Sequence, residues 1–269
     1  MLFGSDVKST SEPNNKSYNV GGILGRCAGT YDSANNIDAL PGNLTTGYFD
    51  VSIIDCDNYG DINFVAANST TGNFGLTYNG NRLCTVGGIA GVIFGADPNN
   101  CRIKSCENHG TVSAGFTGKS ESTVLGGIVG FAKGLTIDGC IVASDAIVRT
   151  NENGGVGAMG SFAGFTSGTV CISSCTASQA VDFVQTKEVS GTTQYRSYWG
   201  VAVGIVAAAS TTVKDCTFSP DFTVRVWDAE SESYVQDPNV VIGSSNFNDF
   251  LANAGGDGFL VKGTNDWAE

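Results

Sequence analysis

The sequence predicts an all-β chain, a parallel β-helix of about five three-stranded rungs with a short helix in a C-terminal cap. Three observations predict it. A Gly-x-φ-x-Gly block, with φ apolar, comes back five times. A φ-x-φ-x-x-Cys segment follows each block. The composition excludes the obvious alternatives: 37 Gly among 269 residues is too many for a helix bundle, and 41% hydrophobic residues is too apolar for disorder.

The Gly blocks read GGILG at 21–25, GGIAG at 87–91, GGIVG at 126–130, GSFAG at 160–164 and GVAVG at 200–204. First and last Gly hold in all five, and the centre reads Ile23, Ile89, Ile128, Phe162 and Ala202. The residue before each block is Val20, Val86, Leu125, Met159 or Trp199, so Trp199 belongs to a packing column. The Cys-ended segments end at Cys56, Cys106, Cys140, Cys175 and Cys216. Their inner apolar residue is Ile53, Ile103, Ile137, Ile172 or Val213. Period-2 spacing makes each a strand with one buried face, ending in a bend that turns the Cys inward.

A third element opens with Asn58-Tyr59-Gly60 before Ile62 and Phe64, and with Asn108-His109-Gly110 before Val112. Asn and Gly tolerate left-handed backbone angles, so each marks a corner from which a strand departs. Later copies keep the strand without the corner motif, at 147–148, 181–184 and 222–226. Block starts lie 66, 39, 34 and 40 residues apart, which fits one turn of chain per repeat with loops of varying length. A β-sandwich also has many short strands, but it would not return one residue type to one place in every repeat. Rungs spaced by the strand separation give a rod of about 25 Å.

The expected organisation is one domain: a cap or arm over 1–18, rungs over 19–226 and a C-terminal cap over 227–269. Within that cap, residues 245–254 read as a helix with Phe247, Phe250, Leu251 and Ala254 on one face and Gly255 as its stop.

GGIAG followed by I-x-x-C-x-N-x-G resembles the GLUG-type repeats of bacterial surface proteins, most closely in the copies starting at Gly21 and Gly87. That resemblance spans 19–226 and implies an extracytoplasmic, right-handed parallel β-helix, often a stalk or adhesive module. It implies an extracellular or cell-surface location and brings no catalytic residue to transfer.

Charge narrows the partners. With 14 basic against 26 acidic residues the net charge is −12, which phosphate backbones and anionic membranes repel. Nucleic acid is therefore not an expected partner. The longest apolar run, residues 201–209, is far short of the ~18 residues of a membrane span. The opening MLFGSDVKST lacks the basic start and apolar core of a signal peptide.

The repeat assigns six of the nine cysteines to packing: the ladder Cys56, Cys106, Cys140, Cys175 and Cys216, and Cys101 in an aliphatic column. The disulfide state of Cys27, Cys84 and Cys171 stays open. CISSC at 171–175 is not a C-x-x-C pair, so zinc is not expected. The single histidine, His109, would have to carry any Ser-His-Asp or Cys-His chemistry, and it reads as a solvent-facing corner residue in the Tyr59 column. Asp228, Glu230 and Glu232 alternate, which would put three carboxylates on one exposed strand face. Ca2+ is conceivable there without support from spacing, and no cofactor is expected. The Gly blocks lack the Gly-Lys-Ser/Thr ending of a phosphate loop.

Loop aromatics supply the binding candidates: Tyr48, Tyr78 and Tyr195, with Tyr31, Phe49, Phe74 and Tyr198 nearby. Such rings stack on sugar faces or staple loops to the rod. The expectation is a non-enzymatic bacterial surface module, adhesin-like or glycan-binding, with a host or dietary glycan or a surface protein as partner. The alternatives are a polysaccharide lyase or glycoside hydrolase on the same scaffold, and a structural spacer. Outward columns argue against the enzyme, reading Ser52, Arg102, Thr136, Cys171, Thr212 and Ile54, Lys104, Asp138, Ser173, Lys214.

Overall fold

The computed structural model describes residues 19–27, 50–66, 76–78, 81–95, 97–116, 121–150, 158–184, 198–206, 211–218, 221–228, 231 and 233–236. Among them every regular element is a strand, arranged in four sheets that are parallel apart from two short hairpins. The helix expected over 245–254 and the arm over 1–18 lie outside the described residues.

Each repeat contributes to each sheet, in chain order. The strands that enter the Gly blocks form the first sheet: Asn19–Gly21, Asn81–Gly87, Glu121–Gly126, Ala158–Gly160 and Tyr198–Gly200. The second and widest sheet holds the strands that leave the blocks together with the Cys-ended strands. In the third and fourth repeats a single strand does both, Val129–Asp138 and Ala163–Ser173. The last sheet holds Ile62–Ala66, Val112–Phe116, Ile147–Thr150, Ala180–Val184 and Asp221–Asp228.

Between these lies a sheet that the three-element reading lacked. It is built from two-residue strands just after each Cys: Asp57–Asn58, Glu107–Asn108, Ile141–Val142, Thr176–Ala177 and Thr217–Phe218. So short a strand carries no periodicity, and only its pairing across repeats makes it an element.

Registers follow the sequence columns. Gly21, Gly87, Gly126, Gly160 and Gly200 pair in succession, as do Ile53, Ile103, Ile137, Ile172 and Val213. The inner side chains of these columns form one apolar core. The strand Ala90–Phe94 is buried along its whole length, which explains why neither of its faces reads as polar. Phe94, Phe131 and Phe165 are fully buried and stack edge to face, with centroids 4.8 and 4.9 Å apart.

The Gly blocks bring backbone against backbone. A Cβ on Gly87 would lie 2.0 Å from the Ala90 carbonyl oxygen, and one on Gly130 would lie 2.5 Å from the Val86 nitrogen. No side chain fits there, so the chain reverses over two residues and the flanking strands touch through their main chains.

The corner before each Cys has its own device. Asp55 (φ 52°), Ser105 (φ 50°), Gly139 (φ 60°), Ser174 (φ 54°) and Asp215 (φ 52°) all adopt the left-handed conformation. It turns the chain from the second sheet into the third in all five repeats.

Candidate functional site

The corner between the third and fourth sheets is where polar side chains of the first three repeats meet. Asn58 and Asn108 face inward and are buried. Asn58 Nδ2 donates to Asn108 Oδ1 at 2.8 Å and to the Gly60 carbonyl at 2.8 Å, and Asn108 Nδ2 donates to the Gly110 carbonyl at 3.1 Å. These bonds satisfy the amides and hold each corner shut, so the residue between Asn and Gly must point outward. That residue is Tyr59 in the first repeat and His109 in the second.

His109 is not the solvent-facing residue that its position in the sequence suggested. Its side chain is only 19% exposed, because it lies flat against Tyr59, with ring centroids 4.5 Å apart and an 11° interplanar angle. Both ring nitrogens are engaged. Nε2 is 2.9 Å from Glu107 Oε2, and Nδ1 is 3.0 and 3.3 Å from the two Asp145 oxygens. Glu107 precedes His109 by two residues and so shares its face. Asp145 arrives from the turn at 143–146 of the third repeat, closed by Ala146 N donating to the Ala143 carbonyl.

Partial burial pulls the His109 pKa down, but hydrogen bonds to Glu107 and then Asp145 outweigh it and leave the value above that of an ordinary imidazole. The protonated ring, with a donor on each nitrogen, is the form that satisfies both carboxylates. Such a ring has no free lone pair to act as a base, which a Ser-His-Asp or Cys-His mechanism requires. The two carboxylates face one imidazole, where a glycosidase needs a gap that admits sugar and water. Glu107 and Asp145 were missed in the sequence because the acidic pair Asp57 and Glu107 gives way to Ile141 in the third repeat, and Asp145 lies in a turn between strands.

Tyr59 is 70% exposed. Asp57 and Asp61, two residues to either side, are exposed as well, and Asp61 Oδ1 also accepts a 2.7 Å bond from Thr111 N. Tyr59 is thus an exposed ring with an exposed aspartate two residues before it and another two residues after it in the chain.

Of the binding residues expected from sequence, Tyr78 alone lies among the described residues. Tyr48 and Tyr195 lie outside the described residues. Tyr78 ends the strand Leu76–Tyr78, which pairs antiparallel with Asn81–Gly87 at the edge of the first sheet. Of the acidic alternation at 228–232, Glu230 and Glu232 lie outside the described residues. Asp228 pairs with Ser233 across a hairpin, so the chain reverses between them.

All nine cysteines are free thiols, including Cys27, Cys84 and Cys171. Consecutive ladder positions are joined through backbone: Ile141 N donates to the Cys106 carbonyl, Thr176 N to that of Cys140 and Thr217 N to that of Cys175, each at 2.9 Å. The thiols of Cys106, Cys140 and Cys175 lean on the Ile53, Ile103 and Ile137 carbonyls of the preceding repeat at 3.6–3.7 Å. Contact with the Cys140 thiol, then burial, pushes the Cys106 thiol up. On the outer face of the Cys-ended strands, Asp138 bridges Lys104 at 3.4 Å and Ser173 at 2.9 Å. Among the described residues no group of three or more His, Cys, Asp or Glu is arranged to hold a metal ion.

The chain matches no family model, no curated protein and no solved structure.

Proposed function

We propose that the four sheets are the walls of a right-handed parallel β-helix, and that the chain is a non-enzymatic bacterial surface module that binds a glycan. Strands of one kind from all five repeats pair in chain order in every sheet, which supports the β-helix. Parallel crossovers returning to the same sheet are right-handed in nearly all cases, which supports the hand. A cell-surface location follows from the resemblance to GLUG-type repeats.

The observation that carries the binding reading is Tyr59. One face of its ring rests on His109 and most of the residue is open to solvent, a pre-formed platform for the apolar face of a sugar. Asp57 and Asp61 stand beside it as acceptors for sugar hydroxyls. Little ordering is needed on binding, because His109 and the Asn ladder already fix the ring.

The test is a glycan and mucin array probed with the purified protein, reading bound protein and released reducing ends. Saturable binding without product is expected, weakened about tenfold in Tyr59→Ala. Tyr48→Ala, Tyr78→Ala and Tyr195→Ala show whether loop rings extend the site. Release of product would replace this reading with a lyase or hydrolase. Silence on both readouts would leave a structural spacer.

A further inference from the structure

We propose that His109 is a pH-dependent brace: held between Glu107 and Asp145 and stacked on Tyr59, it ties three successive repeats together while protonated and releases them when it loses a proton. The geometry gives the brace its reach. Tyr59 belongs to the first repeat, Glu107 and His109 to the second, and Asp145 to the third. Elsewhere at this corner the repeats are joined by backbone bonds such as His109 N to the Asn58 carbonyl (2.8 Å) and Ala143 N to the Asn108 carbonyl (2.9 Å). His109 adds side-chain bonds across the same three layers.

The groups facing the ring are mostly acidic. Glu107 comes from its own strand, Asp145 from the turn above and Tyr59 from the corner below. Asp57 is the register partner of Glu107 in the neighbouring strand, and Asp61 hydrogen-bonds Thr111 two residues beyond His109. The imidazolium is the cation at the centre of this group. When it loses one proton, one of the two carboxylates faces a ring lone pair in place of a donor. The acidic groups then repel one another without compensation.

The sign of the pH effect follows from the raised folded-state pKa. The stabilisation is fully present below the unfolded value of about 6.5 and is lost as pH rises through the folded value.

The chain has a single histidine, so its ring protons give an isolated NMR titration in the whole protein. The expected midpoint lies above 6.5, and the Tyr59 ring signals move with the same midpoint. The melting temperature of the wild type is expected to fall more steeply across that midpoint than that of His109→Gln. A midpoint at or below 6.5, or Tyr59 signals indifferent to it, would overturn the brace. So would a wild type and His109→Gln with parallel melting profiles over pH 6–9. Because the titration and the Tyr59 readout use the unaltered protein, the proposal stays testable even where the variant does not fold.

Discussion

The residue before each ladder Cys shows how much one backbone angle decides in this chain. Asp55, Ser105, Ser174 and Asp215 hold a left-handed conformation that costs an L-residue about 1–2 kcal/mol, and only the third repeat uses Gly there. Space is not the issue at Gly139, where an added Cβ would meet nothing closer than Ser105 Oγ at 3.8 Å. Gly139→Ala should therefore lose about 1 kcal/mol through conformation alone, and Ser174→Gly should gain about as much. Urea unfolding of the two variants checks both signs. Equal and opposite shifts are expected, and a destabilised Ser174→Gly would mean that the serine side chain itself holds the corner. The bend was legible in the sequence, but its left-handed angle was not, because Asp, Ser and Gly serve in turns of several kinds. His109 was hidden for a related reason. Its column was legible, but its partners come from a neighbouring strand position and from the turn at 143–146 of the third repeat.

At the scale of the element, the Gly block is the reversal on which the strand order depends. Its glycines differ from Gly139 in kind. A Cβ on Gly130 would sit 2.5 Å from Val86 N and 2.6 Å from the Gly91 carbonyl oxygen, both main-chain atoms that cannot swing aside. Gly130→Ala should cost about 3 kcal/mol or more, several times the loss at Gly139, since strands that face each other from two sheets must separate to admit one methyl. Chemical denaturation of both variants measures the ratio. Similar losses at the two sites would show that the flanking strands can part cheaply, which their backbone contact argues against. Columns such as Gly-x-φ-x-Gly and φ-x-φ-x-x-Cys were legible because a stacked position sees the same environment in each repeat. The two-residue strands after each Cys were not, since pairing defines them. The antiparallel strand Ser233–Gln236 was not either, because it occurs once.

At the scale of the whole molecule, pairing runs between neighbouring repeats, so stability is distributed along the stack. Among the described residues, strands of the middle repeats have a partner on each side, whereas Ser52–Ile54 and Leu24–Cys27 of the first repeat and Val203–Val206 and Thr211–Lys214 of the fifth pair on one side only. Side-chain burial separates the two ends. Ile23 is 47% exposed, while its counterparts Ile89, Ile128, Phe162 and even Ala202 of the fifth repeat are fully buried. The stack should therefore open from the first repeat. Native-state hydrogen exchange tests this directly, because local opening needs less free energy than global unfolding wherever contacts are fewer. Amides of Val129–Asp138 and Ala163–Ser173 are expected to exchange last, at the rate set by global unfolding. Those of Leu24–Cys27 should exchange first within the same sheet. A single uniform protection level across all five repeats would instead mean that the stack opens as one unit. The His109 brace bears on this order, since it fastens the first repeat to the second and third. Raising the pH through its titration should widen the gap between the first repeat and the middle ones, and leave the protection of Ala163–Ser173 relative to Val129–Asp138 unchanged.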